Sequence, residues 1–116
     1  MTSVLVIDDD PVFGHMLAGK AAARAMDVQY YPSLIEAVYA TDLRAFDVFV
    51  IDRFMPEMDG VELAEYFRTF HQAVPVVLVS RAKGHEDAWW RHTGIRAFVA
   101  KRKGLDTILN TIQQVA

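Results

Sequence analysis

The sequence predicts a doubly wound α/β domain, one parallel sheet of five strands with five helices on its two faces. Three observations carry the prediction. Short continuous apolar runs, Val4–Ile7, Val48–Ile51 and Val76–Val79, read as strands buried on both faces. Between them lie stretches with apolar residues at helical spacing, joined by connections of a few residues. Finally, four strands end in groups capable of chemistry: Asp8 and Asp9, Asp52, Ser80, and Lys101. Parallel strands bring those ends to one edge, where open α/β sheets bind their ligands.

The first strand, Val4–Ile7, runs into Asp8-Asp9-Asp10-Pro11. Asp10 is a natural N-cap and Pro11 a natural first helical residue. The helix they open, about 11–25, offers Phe13, Met16, Leu17, Ala21 and Arg24 at helical spacing, weakened by Gly14 and Gly19. Val28–Tyr31 is the second strand. After Pro32, Ser33-Leu34-Ile35-Glu36 has the form of a capping box, and its helix should run to about Leu43 with Leu34, Ala37, Val38 and Leu43 inward.

Val48–Ile51 delivers Asp52, a turn follows at Met55-Pro56, and Asp59 caps a helix over about 60–70. That helix presents Val61, Leu63, Ala64, Phe67 and Phe70. Pro75–Ser80 is the fourth strand. A helix is expected at about 85–92, closed by Gly94. Ile95–Ala100 is the fifth strand, and the last helix spans about 104–115 with Leu105, Ile108, Leu109 and Ile112 inward.

At 116 residues, a single domain over 1–116 is expected. No apolar run approaches the ~18 residues that span a membrane, and Met1-Thr2-Ser3 lacks the basic start of a signal peptide. With no cysteine there is no disulfide framework and no thiolate chemistry. The net charge of -3 argues against direct nucleic-acid binding. A cytoplasmic domain with no membrane contact is the expectation.

The segment Asp52-Arg53-Phe54-Met55-Pro56-Glu57-Met58-Asp59-Gly60 resembles the D-x-x-M-P-x-M-D-G stretch of response-regulator receiver domains. The resemblance extends from Val4 through Lys101 to the final helix. It implies the flavodoxin-like strand order 2-1-3-4-5, which spacing alone leaves open. It also implies that Asp52 accepts a phosphoryl group and that Asp9, Asp52 and the main-chain carbonyl of Phe54 bind Mg²⁺, with Asp8 acting through water. Ser80 then matches the switch hydroxyl, Lys101 the phosphate-pairing lysine, and Phe98 the aromatic residue that changes rotamer on activation.

Elementary chemistry agrees with these roles. Converging carboxylates repel one another and are costly to desolvate, which a hard divalent cation relieves. A lysine and a hydroxyl suit phosphoryl oxygens, and phosphoryl transfer needs little beyond positioning and charge neutralisation. Each residue alone has a plainer explanation. Asp8–Asp10 is an ordinary solvated loop, Ser80 a strand-end hydroxyl, Lys101-Arg102-Lys103 a basic surface and Phe98 a core residue; their shared edge is what promotes them.

Three departures from the family pattern stand out. Arg102 occupies the position where receivers usually carry a proline behind a cis peptide, so Lys101-Arg102 is expected to be trans. Arg81 replaces the usual small residue after the switch hydroxyl, where it either screens Asp52, adds a bidentate contact to the phosphoryl group, or swings into solvent. Phe54 and Ala82 occupy the positions that control water access, and bulky Phe54 predicts a long-lived acyl phosphate.

Trp89 and Trp90 are adjacent in the expected fourth helix, and one of them suits an interface. His15, His71, His85 and His92 share no metal-binding spacing and read as surface residues. The implied partners are a histidine kinase or phosphotransfer protein, and a downstream protein or attached output domain. A homodimer through the fourth helix, fifth strand and fifth helix is a further option. The domain is expected to be no enzyme beyond its own phosphorylation and dephosphorylation. The alternative is a phosphorylation-independent receiver-like binding module. A phosphohydrolase is disfavoured because Asp52-Arg53-Phe54 lacks the second Asp of an Asp-x-Asp motif and the chain has no room for a cap domain.

Overall fold

The computed structural model describes residues 1–56, 58–71, 73–81 and 94–116. Five strands form one parallel sheet: β1 Thr2–Ile7, β2 Met26–Tyr31, β3 Val48–Asp52, β4 Val76–Ser80 and β5 Ala97–Ala100. Their order is β2-β1-β3-β4-β5, as the family resemblance implies. Among the described residues there are four α-helices, α1 Pro11–Ala21, α2 Leu34–Ala40, α3 Gly60–Phe70 and α4 Leu105–Val115. The helix expected at about 85–92, with Ala82, His85, Trp89, Trp90 and His92, lies outside the described residues. No helix among those described is long and apolar enough to cross a membrane.

Successive strand residues point to opposite faces, so each continuous apolar run feeds two cores. Val4, Val6, Val48, Val50, Val77, Val79 and Val99 pack under α1 and α4, against Phe13, Leu17, Ile108, Leu109 and Ile112. Leu5, Ile7, Phe49, Ile51 and Leu78 pack on the other face against Leu63, Ala64 and Phe67 of α3 and Ala37 of α2. Phe49 stacks on Phe67 with ring centroids 4.1 Å apart.

The predicted caps form. Asp10 Oδ1 accepts the Val12 and Phe13 N–H groups, Ser33 accepts that of Glu36, and Asp59 accepts that of Val61. Helix ends differ from expectation. The first helix becomes a 3-10 turn at Ala22–Arg24 and stops at Ala25, whose φ is +57°. The second ends at Ala40, because the Thr41 hydroxyl and N–H both bond to the Ala37 carbonyl. Asp42 then caps a 3-10 turn that buries Leu43.

Three residues that the sequence places at the apolar helical spacing are exposed: Met16, Val38 and Phe70. The sheet and its neighbours bury Phe13, Gly14, Leu17 and Ala21 of α1 and Ala37 of α2, with Leu34 partly covered, and leave the flanking positions in solvent. Phe70, in the last turn of α3, packs on Tyr66 instead. His71 is more than a surface residue, because its half-buried ring lies within aromatic contact of Phe49 and Phe67. Gly14 has a packing role beyond its helical cost: a Cβ there would stand 2.2 Å from the Tyr30 ring.

Candidate functional site

The register sets the site. Asp52 ends β3 opposite Val79, Ser80 ends β4 opposite Ala100, Asp8 follows Ile7, and Lys101 follows Ala100. One carboxylate oxygen from each of Asp8, Asp9 and Asp52 lies within 4.8 Å of the others. Asp8 and Asp52 are buried, Asp9 is exposed and Ser80 is buried.

Lys101 is the cation buried with them, its side chain only 8% exposed. Its Nζ lies 2.6 Å from Asp8 Oδ2 and 3.9 Å from Asp52 Oδ2, over the Phe13 ring at 4.3 Å. The Lys101-Arg102 peptide is trans, within a 3-10 turn over Lys101–Lys103, and it still delivers the ammonium to the carboxylates. Arg102 and Lys103 are exposed, as a basic surface should be.

Burial, and then the charge of Asp8, push Asp52 up to about 7 against the pull of Lys101. Burial also raises Asp8, opposed by its bonds to Lys101 and to the Asp10 N–H. The cluster is therefore under-neutralised by the lysine alone. Three hard oxygen donors within one ion's reach, two of them buried, fit a divalent cation that keeps some of its waters.

The β3–α3 loop folds back on the strand end. Arg53 N–H bonds to the Val79 carbonyl, Gly60 N–H bonds to the Arg53 carbonyl, and Phe54 pairs with Asp59 in an antiparallel bridge. Gly60 permits this, because a Cβ there would meet the Asp52 carbonyl oxygen at 2.4 Å. Phe54, half-exposed, is thereby held at an open cleft of about 570 Å³ lined by Asp9, Asp10, Pro11, Asp52, Phe54 and Arg81.

All the expected residues except Phe98 thus gather at one edge. Phe98 lies on β5 opposite Leu78 and packs against the α3-side core. Two participants were not marked by sequence as part of the cleft: Phe13 beneath Lys101, and Asp10, which pairs with Arg81. Asp10 carried a signal as a helix cap, but its second oxygen faces the cleft. Its pKa is opposed by partial burial and still falls below the usual range, through the Phe13 N–H and Arg81.

A parallel 2-1-3-4-5 sheet with an acidic cleft at its carboxyl edge defines the receiver class of α/β domains. The chain belongs to the response regulator receiver domain family, which it matches over residues 4–113. It is 26% identical over 110 residues to the sensor histidine kinase RcsC of Salmonella typhimurium, covering 94% of this chain and 12% of that protein. It is 28% identical over 109 residues to the transcriptional regulatory protein KdpE of Mycobacterium tuberculosis, covering 94% and 48%. The chain thus spans about a tenth of the sensor kinases it matches. Among solved structures, the chemotaxis protein CheY4 of Vibrio cholerae superposes with a TM-score of 0.85 at 24% identity, covering 100% of this chain and 99% of that one. TrrA of Thermotoga maritima, a response regulator captured with Mg²⁺ and BeF, superposes at 0.82 with 17% identity, covering 100% of each.

Proposed function

We propose that this receiver takes a phosphoryl group onto Asp52 from a phosphohistidine of a histidine kinase or phosphotransfer protein. The observation that carries this is the convergence of Asp8, Asp9 and Asp52 around a buried lysine that reaches two of them. An Asp52 oxygen attacks phosphorus as the donor's P–N bond breaks, and the imidazole nitrogen keeps the electron pair. Asp9, Asp52 and the Phe54 carbonyl would hold Mg²⁺, with Asp8 acting through water, and the ion would supply charge neutralisation for the transferring group. That the structurally similar TrrA was captured with Mg²⁺ and BeF supports the choice of Mg²⁺ as the ion. Lys101 exchanges part of its pairing with Asp8 for a phosphoryl oxygen, and Ser80 donates a hydrogen bond to another.

Pulling Ser80 toward the phosphoryl group frees space for Phe98 to move inward. The surface made by β5 and α4 then shifts population toward a partner, an attached output domain or a second copy. The domain turns over only its own Asp52 and makes no direct nucleic-acid contact. The test is intact mass after incubation with acetyl phosphate and Mg²⁺. A gain of one phosphoryl group in the wild type and none in Asp52→Ala supports the assignment, and no gain by the folded wild type refutes it.

One observation favours a second reading, a receiver-like module that works without phosphorylation. Arg81 pairs with Asp10 at the mouth of the cleft. Mg²⁺ binding at millimolar concentration separates the two, because the module has no need of the ion.

A further inference from the structure

Arg81 follows Ser80 at the end of β4, and its guanidinium pairs with the carboxylate of Asp10. Asp10 lies just beyond the end of β1. In the order β2-β1-β3-β4-β5 these strands are not neighbours, because β3 runs between them and ends at Asp52. Adjacent strands lie about 4.8 Å apart, so the pair crosses about 10 Å of the sheet edge, over the end of β3. Arg81, Asp10 and Asp52 accordingly line one cleft.

The two oxygens of Asp10 have separate duties. Oδ1 accepts the Val12 and Phe13 N–H groups that start α1, and Oδ2 meets Arg81. The helix cap therefore does not depend on the ion pair. The Arg81 side chain is 69% exposed, and an ion pair so wet is weak and exchanges readily. A phosphoryl group on Asp52 brings nearly two negative charges and three acceptor oxygens, a better match to the guanidinium fork than one carboxylate oxygen.

We propose that Arg81 is a phosphoryl-contacting residue, parked on Asp10 in the resting protein and transferred to the phosphoryl oxygens when Asp52 carries them. The inference rests on the reading that Asp52 is a phosphoryl acceptor. Lys101 and Arg81 then clamp the group from opposite sides, the lysine from the buried end of the site and the arginine from the mouth. Asp10 is a positioning residue that acts through Arg81. It keeps the guanidinium over the cleft and competes with the phosphoryl group for it.

The experiment is a calorimetric titration of beryllium fluoride, a phosphoryl mimic, into protein saturated with Mg²⁺. Wild type is compared with Arg81→Ala, Asp10→Asn and the double variant; Asn also caps helices, so α1 keeps its start. Arg81→Ala should weaken binding about tenfold, the size of a lost charge-assisted contact. Asp10→Asn should tighten it about threefold by removing the competitor. The double variant should bind as weakly as Arg81→Ala alone, because Asp10 has no effect once its partner is gone. Unchanged or tighter binding by Arg81→Ala overturns the inference and leaves the acceptor reading standing. Independent, additive effects of the two substitutions also overturn it. Failure of the wild type to bind the mimic, together with failure to gain a phosphoryl group from acetyl phosphate, overturns both.

Discussion

Replacing Asp52 by Asn should stabilise the metal-free protein. The folded chain holds Asp52 buried beside Asp8 at about 7, against an ordinary value of 3.8. At about 1.4 kcal/mol for each pH unit, that difference sets a ceiling of about 4 kcal/mol. An amide is still polar and retains part of the burial cost, so the expected gain is about 2–3 kcal/mol. The sign follows from proton binding. Between about pH 4 and pH 7 the folded state holds a proton that the unfolded chain has lost, so the carboxyl costs stability progressively as pH rises through that window. Above about pH 7 the cost is complete, and below about pH 4 it is absent. Urea unfolding of both proteins in a chelator should therefore show the variant ahead near pH 8 and the gap closing toward pH 4. Millimolar Mg²⁺ should close the gap from the other direction, by stabilising the wild type more than the variant. Equal stabilities near pH 8, or a gap that does not change with pH, would refute the electrostatic account of the cluster.

Four other expectations can be checked in the same way. Lys101→Met strips the buried partner from Asp8 and should cost about 3 kcal/mol at neutral pH in urea unfolding, with the loss shrinking as Asp8 protonates at lower pH. Gly60→Ala forces a Cβ against the Asp52 carbonyl, so it should cost about 1–3 kcal/mol and slow acetyl-phosphate labelling. Gly19→Ala, with open space around its Cβ, should instead stabilise by about 0.5–1 kcal/mol. Phe54→Asn removes an apolar shield at the cleft and should hasten loss of the phosphoryl group, read as the decay of the phosphorylated mass; an unchanged lifetime removes the shielding role.

The strands were legible in the sequence because a parallel sheet covered on both faces needs continuous apolar runs, and Val4–Ile7, Val48–Ile51 and Val76–Val79 are such runs. The shared edge of Asp8, Asp9, Asp52, Ser80 and Lys101 followed from strand direction alone. Helix starts at Asp10, Ser33 and Asp59 were legible because capping is local, a side chain meeting an N–H two or three residues on. The strand order came from the family resemblance, since period and spacing say nothing about which strands pair.

What needed the tertiary structure involves partners distant in sequence. Whether Met16 or Val38 lies inward depends on how much of each helix the sheet covers, and their own spacing cannot report that. Gly14 reads as a helix weakness until the Tyr30 ring is seen against it. Lys101 belongs to a basic run, and only the fold turns its ammonium inward over Phe13 to Asp8, leaving Arg102 and Lys103 in water. Arg81 and Asp10 are 71 residues apart, and their pairing over Asp52 exists because the sheet order sets β3 between β1 and β4, whose ends they follow. Apolar periodicity and capping act over a few residues and are written in the chain. A cleft's electrostatics depends on distance through space, which the chain acquires only by folding.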